Sequence, residues 1–359
     1  MRASFWKTSL FALSMGMFFS CGDDPVDPED SFDRKAMLEQ YADQMIIPAY
    51  NALGDVSDDL QAAAQTFSQA PTQSNLDELQ TSWKAAALAW ESANTYNFGP
   101  AQTSFGTLLE EIGTWPVNEI QLESYITDAD TLLENFDRDT RGFYAIEYLV
   151  FNLADDDAAI LAAFDQSSDR GAYLRAVTQH LAEQVDAVQD AWPNYRGTFV
   201  DNNGTDAGSS TSALYNEFVK SFEAAKNFKV GLPLGVRPGQ TGPEPQLVEA
   251  YYSGYSTELL EAHLASIEAI WRGNGNGYRA YLLTVTGGPE LVEDTETQLQ
   301  AIQLSLANLP DGRLADQIST DPTPVNDLHT ELQKNTRFFK SDMSSLLGIA
   351  ITFNSGDGD

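Results

Sequence analysis

This chain of 359 residues contains very little cysteine and histidine. Its one cysteine is Cys21, which excludes an intrachain disulfide framework. The three histidines, His180, His263 and His329, are far apart and match none of the spacings H-x-x-H, H-x-x-E-H or H-E-x-x-H. The zinc-binding helix of zinc peptidases is therefore unsupported. We interpret each histidine as a helix-edge residue that makes an ordinary hydrogen bond, with metal ligation as the alternative.

Basic residues are also scarce. The chain has 20 Lys and Arg against 53 Asp and Glu, for a net charge of −33. Removing residues 1–20, which carry two bases and no acids, leaves −35. Such a surface repels phosphate backbones, so we expect no nucleic-acid partner. The acids are dispersed, which favours a role in solubility over one in concentrating cations. The sequence also lacks a G-x-S-x-G elbow and a phosphate-cradling loop.

The N-terminus has the pattern of a lipoprotein signal. Arg2 and Lys7 precede an apolar stretch over 10–19, which is too short to span a bilayer, and Cys21 follows Ser20. We predict that residues 1–21 are the signal and that a lipid on Cys21 anchors the chain to a membrane. An ordinary signal peptide with an incidental cysteine is the alternative.

Residues 22–31 are acidic and contain proline, which predicts a tether without a core. The stretch resembles the acidic segment of surface-exported lipoproteins, and a simple solvated spacer is the alternative. We predict an outer-membrane lipoprotein that faces the periplasm or the cell surface.

Helical periodicity covers almost all of the remaining chain, and no stretch alternates with period two. Leu174, Val177, Leu181, Val185, Val188 and Trp192 repeat at helical spacing, with Pro193 predicted to end that helix. Ser74 and Asp77 have the spacing of a capping box. Further helices are predicted from Phe32 to about Gln69, interrupted near Pro48, and over about 214–228, 257–271 and 290–308. The fold class predicted is all-α, built of antiparallel bundles.

The length predicts two domains, with a boundary near 167–171. We assign residues 32–168 to an N-terminal helical bundle and residues 169–359 to a C-terminal one. Two long loops are predicted, at 194–212 and 231–246. The second contains apolar residues, so we expect it to be ordered and packed near a site.

Glu147 is the acid most indicative of function. It lies in an apolar run on a helix predicted to be capped by Thr140 or Asp139, with Tyr144 three residues earlier on the same face. A carboxylate in such surroundings should be paired, protonated or bound to a cation. Pairing with Arg141 or with a buried serine is the structural alternative. Gly142 permits a close approach of the backbone.

The segment from Glu249 to Glu258 concentrates acids, tyrosines and hydroxyls. Glu249 and Ser253 are predicted to line a polar cleft. Ser256 or Thr257 could instead cap the helix that follows, which is the structural reason for hydroxyls at these positions.

Several motifs, in order along the chain, resemble those of the imelysin-like proteins. The run containing Gly142, Tyr144 and Glu147 is similar to the G-x-H-x-x-E signature, with Tyr144 in the histidine position. The segments 83–91, 98–100, 115–116, 249–256 and 346–359 are similar to the family's tryptophan-rich helix, its Gly-Pro exit, its W-P step, its E-x-x-x-S-x-x-S segment and its C-terminus.

The resemblance implies two helical bundles packed together, with a cleft near the motif helix, and a link to bacterial iron uptake. It also implies a metallopeptidase assignment for the founding member. Phenol binds divalent metals poorly near neutral pH because its pKa is about 10. Ferric iron held by Glu147 and Tyr144 stays open, since phenolate suits that ion.

We therefore predict a non-enzymatic, imelysin-like binding protein tied to iron uptake. Its ligand or partner would lie in the cleft between the domains, lined by Gly142, Tyr144, Glu147, Glu249 and Ser253. No catalytic residue is assigned, and no motif demands a cofactor, although iron or another metal ion could bind through Glu147. An iron-uptake or outer-membrane protein is the predicted partner. The alternatives are a metallopeptidase that uses Glu147 and a structural subunit of an outer-membrane assembly.

Overall fold

The computed structural model describes residues 32–133, 136–151 and 156–353. The predicted signal with Cys21, the tether over 22–31 and the end of the chain from residue 354 lie outside the described residues. No helix within these described ranges combines the length and the hydropathy needed to cross a membrane.

The fold is all-α, as predicted. The helices are α1 Arg34–Tyr41, α2 Ile47–Gln69, α3 Gln73–Ala93, α4 Leu108–Ile112, α5 Glu119–Thr127, α6 Gly142–Val150, α7 Asp157–Gln166, α8 Ser168–Asp201, α9 Ser210–Ala224, α10 Leu232–Leu234, α11 Ser256–Arg272, α12 Tyr278–Leu282, α13 Gly288–Ala307, α14 Leu314–Thr320, α15 Thr323–Arg337 and α16 Met343–Leu347. Segments Ala42–Ile46, Ala225–Gly231 and Phe338–Asp342 are π-helical. Two short strands, β1 Gln102–Thr103 and β2 Gly106–Thr107, pair antiparallel with Gln102 opposite Thr107.

The first helical stretch has its interruption where the sequence predicts one. Pro48 lies in the first turn of α2, directly after the π-helical turn Ala42–Ile46. The backbone stays helical through Ile46 and Ile47, so the π-helical turn before the proline, rather than a helix start, accommodates it.

The capping box predicted at Ser74 is wrong, because α3 begins earlier. Ala70 precedes Pro71 and is held out of the helical region. The next residue, Thr72, then adopts an extended conformation, and its hydroxyl accepts a hydrogen bond from the backbone N–H of Asn75. Ser74 therefore already lies inside the helix.

The predictions that Pro193 ends its helix and that a loop starts at residue 194 are also wrong, because α8 continues to Asp201. A proline inside a helix costs about 3 kcal/mol. Aromatic packing offsets that cost. The rings of Trp192 and Phe199 lie 5.6 Å apart, and each lies 5.7 Å from the ring of Phe98. Such pairs contribute about 0.5–1.5 kcal/mol each beyond their burial, and ending the helix at Pro193 would break this cluster.

The buried apolar side chains form one contiguous core across the described residues. The predicted domain boundary falls at the start of α8, and the main packing partner of α8 is α2 from the preceding segment. The division into two domains stays a prediction.

The segment predicted as an ordered loop over 231–246 begins at the end of a π-helix and includes α10. The N–H of Glu244 donates to the carbonyl of Pro233 over 2.9 Å and closes the loop. Its Gln246 borders a cavity that the predicted site residues Tyr144 and Glu147 also line. The loop thus lies where the sequence places it.

Candidate functional site

Gly142 fixes how α6 starts. Its φ of +77° is favourable only for glycine, and a Cβ there would lie 2.3 Å from the carbonyl oxygen of Ile112. The predicted caps Thr140 and Asp139 are wrong, since both lie in the preceding 3₁₀ turn and the hydroxyl of Thr140 donates to the carbonyl of Asp137. The close backbone contact, rather than a side-chain cap, positions α6.

Tyr144 and Glu147 project from α6 and are both buried. The Tyr144 hydroxyl donates to Glu249 Oε1. Glu147 Oε1 accepts hydrogen bonds from the backbone N–H and the hydroxyl of Ser253, each 2.7 Å long. Four of the five predicted cleft residues therefore form two contacts between residues 32–168 and residues 169–353. Gly142 is not in contact with them and packs against the backbone of Ile112.

Ser253 is the partner of Glu147 that the structural alternative required. Arg141 pairs instead with Glu111, with its Nη2 2.7 Å from Oε2. Burial raises the pKa of Glu147 to about 7, although the hydrogen bonds from Ser253 act to lower it. A carboxyl group with that pKa exchanges a proton near neutral pH.

The space beside Tyr144 and Glu147 is small. The cavity that they line with Trp115 and Tyr252 has a volume of about 20 Å³, which is room for about one water molecule. The cleft predicted around Glu147 is therefore closed in this structure.

The backbone after Glu249 is held by Ser256, whose hydroxyl donates to the Glu249 carbonyl. Neither Ser256 nor Thr257 caps α11, because the N-cap residue is Tyr255 and makes no side-chain cap bond. The prediction of a hydroxyl cap is therefore wrong. Ser256 stabilises the turn that carries Glu249 instead.

Lys229, which the sequence analysis missed, lies between two carboxylates. Its Nζ is 2.6 Å from Glu91 Oε2 and 2.7 Å from Glu249 Oε2, and all three side chains are at most 2% exposed. Burial lowers the pKa of Lys229, but the charges of Glu249 and then Glu91 outweigh it and leave the pKa raised. Lys229 thus stays an ammonium and occupies the place of a cation between the two acids.

Glu91 holds a proton more firmly than an ordinary glutamate. Burial, and then the charge of Glu249, raise its pKa to about 8, with Lys229 opposing the shift. Near neutral pH, a protonated Glu91, the ammonium of Lys229 and the carboxylate of Glu249 together carry no net charge. Neutrality makes this arrangement tolerable in a buried position.

His263 extends the cluster. Its Nε2 is 2.6 Å from the hydroxyl of Ser221, and its Nδ1 is 3.3 Å from Glu91 Oε2. Contrary to the expectation of a helix-edge residue, His263 is fully buried, although it does make an ordinary hydrogen bond. We call Glu91, Tyr144, Ser221, Lys229, Glu249 and His263 the buried polar cluster.

Ser221, His263 and Glu91 are neighbours in that sequence of contacts, and a serine, a histidine and an acid are arranged in the same way in hydrolases that use a serine nucleophile. In such an enzyme the histidine must accept the serine proton. Here burial, and then the charge of Lys229, hold the pKa of His263 well below its ordinary value. An imidazolium at this position would face the ammonium of Lys229, so the arrangement disfavours transfer of the Ser221 proton to His263.

A larger cavity lies against the cluster. It has a volume of about 450 Å³, within the range of small-molecule sites. Ser221, Lys229 and His263 contribute to its wall, and Trp115 and Leu232 supply apolar surface. Asn94, Leu109 and Glu110 line it from the predicted N-terminal domain. The cavity therefore lies between residues of both predicted domains.

The same side chains do not make a ready ligand set for a divalent metal. Across the ranges that the structure describes, no group of three or more His, Cys, Asp and Glu side chains is placed to hold an ion. The side-chain oxygens of Glu91 and Glu249 already share the ammonium of Lys229. Glu147 as a metal ligand gains no support from this geometry and stays a prediction.

The comparison that decides the family is the match of residues 46–337 to the family model described as Imelysin. The chain belongs to the imelysin family. This family member is also similar to iron-regulated protein A of Synechococcus elongatus (strain ATCC 33912 / PCC 7942 / FACHB-805), with 26% identity over 254 residues. That match covers 67% of this chain and 63% of the relative, so the chain spans less than two thirds of the relative's length.

A solved structure shows the same fold. The imelysin-like protein from Psychrobacter arcticum 273-4 superposes with a TM-score of 0.72 at 24% sequence identity. The superposition covers 89% of this imelysin-family chain and 97% of the other. These likenesses establish the family and the fold, and they do not establish a reaction.

Proposed function

We propose that this member of the imelysin family is a lipid-anchored, extracytoplasmic binding protein that serves iron uptake. Its ligand or partner would occupy the cavity of about 450 Å³ beside the buried polar cluster. The name of the cyanobacterial relative, iron-regulated protein A, supports the link to iron. The pattern around Cys21 supports an anchor in the outer membrane, with the protein facing the periplasm or the cell surface.

One observation carries the proposal. The wall of the cavity includes Lys229, which contacts Glu91 and Glu249 from the two predicted domains, and His263, which is hydrogen-bonded to Ser221. A ligand there would contact a polar surface whose groups are already held in place. Such preorganisation lowers the free-energy cost of binding.

Glu217 supplies a second polar contact for a ligand. It lines the cavity, and its nearest basic partner, Lys220, lies 3.4 Å away. Burial raises the pKa of Glu217 to about 7, with Lys220 opposing the shift. A bound cation or a hydrogen-bond donor would stabilise the ionised form of this carboxyl group.

Isothermal titration of the full chain in detergent with ferric iron, ferrous iron, zinc and haem tests the proposal. We expect at least one of these to bind, and Ala224→Trp to abolish binding because Ala224 lines the cavity and a larger ring would fill it. Glu217→Gln should weaken the binding of a cationic ligand, whereas the matched change Glu78→Gln, at an exposed position of α3, should not.

If none of the four binds, capture of an outer-membrane or iron-uptake protein by the wild type, lost in Ala224→Trp, would still support the proposal. Failure to detect either a ligand or a partner would refute the proposal. Protease treatment of intact cells would then place the chain, since release indicates the cell surface and protection indicates the periplasm.

The metallopeptidase and the structural-subunit alternatives stay predictions. The first requires hydrolysis that depends on a metal and on Glu147. The second requires an obligate partner whose binding does not depend on the cavity, so that Ala224→Trp leaves capture of that partner unchanged.

A further inference from the structure

A second cavity, with a volume of about 490 Å³, also borders the π-helix Ala225–Gly231. Its basic lining residues are Lys226, Arg237, His329, Arg337 and Lys340, and its neutral polar ones are Asn227, Gln333, Thr336 and Ser341. Of the described residues that line it, none is Asp or Glu. We call it the basic cavity.

The composition of the chain makes this lining unusual. The whole sequence has 20 Lys and Arg against 53 Asp and Glu. Four of those 20 bases converge on one cavity, where the average composition would place mostly acids. A concave surface lined by one sign of charge concentrates ions of the opposite sign.

The basic side chains are positioned from several elements. Lys226 lies in the π-helix with only 2% of its surface exposed, and its Nζ donates to Thr336 Oγ1 over 3.2 Å. The guanidinium of Arg237 stacks over the ring of Phe228 at 4.7 Å from the ring centroid. π-helical segments are frequent at functional sites. This one contributes Lys226 to the basic cavity and Lys229 to the first cavity.

Acidic residues outside the lining pair with bases of the basic cavity. Lys340 Nζ is 3.1 Å from Glu223 Oε1, and Arg337 Nε is 2.9 Å from Asp342 Oδ2. One carboxylate satisfies at most two of the five N–H donors of a guanidinium, so Arg337 can still donate to a ligand.

The pKa of His329 reflects both its burial and the positive charge beside it. Burial, and then the charge of Lys226, hold its pKa below the ordinary value. A bound anion would reverse the second of these effects.

We infer that the basic cavity binds a small polyanion with two or more carboxylate or phosphate groups. Arginine suits both groups because its planar guanidinium donates two parallel hydrogen bonds. This inference concerns a different cavity from the proposed function and stands independently of it.

Titration of the full chain with citrate, pyrophosphate and inorganic phosphate, at constant ionic strength, tests the inference. We expect citrate or pyrophosphate to bind more tightly than monovalent acetate. Lys226→Met should weaken binding by about tenfold or more. Lys226 is buried, so Arg237→Gln, at a less buried position on the wall of the cavity, provides a second variant and should weaken binding similarly.

Lys334→Gln is the matched control. Lys334 lies on α15 but does not line the cavity, so this change should leave polyanion affinity unchanged. Binding of citrate but not pyrophosphate would identify a carboxylate ligand, and binding of pyrophosphate but not citrate a phosphate ligand. Binding of inorganic phosphate alone would contradict a ligand with two or more anionic groups. Binding by none of the three, or equal binding in wild type, Arg237→Gln and Lys334→Gln, would overturn the inference.

Discussion

The ammonium of Lys229 and the carboxylate of Glu249 lie 2.7 Å apart, with both side chains almost completely excluded from solvent. Glu249 also accepts a hydrogen bond from Tyr144, the residue predicted to occupy the histidine position of the G-x-H-x-x-E signature. The phenol therefore has a defined role in this chain, as a neutral donor to a buried carboxylate. The pKa of Tyr144 is raised well above its ordinary value, first by burial and then by the charge of Glu249, so it stays protonated.

Removing Lys229 should destabilise the fold. We expect Lys229→Met to lower the free energy of unfolding by about 3–5 kcal/mol, because it leaves the buried carboxylate of Glu249 without its cation. The double variant Lys229→Met/Glu249→Gln should recover part of this loss. Denaturant unfolding of the full chain measures both, and the half-exposed Lys334→Met serves as control. A single variant as stable as the wild type would show that the ion pairs are not formed.

Gly142 should tolerate no side chain. Gly142→Ala combines a left-handed backbone with a clash against the carbonyl of Ile112, so we expect a loss of about 3 kcal/mol or more. Gly197 is the control, because a Cβ there meets nothing within 4 Å and the residue lies inside α8. Gly197→Ala should stabilise the protein by about 0.5–1 kcal/mol. Thermal unfolding of the two variants distinguishes them, and equal effects would contradict the geometry described for α6.

Part of this account follows from the sequence. The helical class, the irregularity near Pro48 and the need of Glu147 for a partner all come from local pattern. Glu147 lies in an apolar helix, and a carboxylate in apolar surroundings needs a polar or charged partner. The end predicted at Pro193 is wrong because the aromatic packing that stabilises α8 beyond this residue involves Phe98, which is distant in sequence.

Lys229 could not be predicted in the same way. Its carboxylate partner Glu91 is 138 residues away, and nothing near either residue specifies that pairing. The available signal is a charge within apolar sequence, since Lys229 follows Phe228 and precedes Val230, and Glu91 follows Trp90. That signal indicates burial and leaves the partner unknown.

The stability of the protein should depend on pH between about 6.5 and 8. Burial raises the pKa of Glu91 to about 8 and those of Glu147 and Glu217 to about 7. In the unfolded chain a glutamate ionises near about pH 4.3, so the folded state binds more protons in this range. The free energy of unfolding should therefore fall as pH rises, by at most about 1.4 kcal/mol per pH unit for each proton.

Histidine acts in the opposite direction at lower pH. Because the pKa of His263 is lowered in the folded state, its imidazole binds more protons in the unfolded chain below about pH 6.5. The free energy of unfolding therefore decreases as pH falls below about 6.5. The carboxyl effect is thus best measured above pH 6.5. Glu91→Gln should flatten the upper part of the profile, measured by denaturant unfolding at constant ionic strength. A wild-type stability that rises from pH 6.5 to 8 would contradict the protonation described.

Tyr144→His alone should gain little affinity for zinc. The ammonium of Lys229 already pairs with Glu249 and Glu91 and repels an incoming cation. Adding Lys229→Met removes that charge beside His263, Glu91 and Glu249, which include ligand types that zinc prefers. We expect the double variant to bind zinc about tenfold or more tightly than Tyr144→His, as measured by titration calorimetry. Tight zinc binding by the single variant would show that Lys229 does not control the site.

The claim that this protein binds a ligand or partner and does not cleave peptide bonds is tested most directly by a cleavage assay with an unfolded protein substrate. The full chain is incubated with and without a chelator beside Glu147→Ala, and the fragments are quantified by mass spectrometry. We predict no cleavage above background in any of these samples. Chelator-sensitive cleavage by the wild type that disappears in Glu147→Ala would contradict the account.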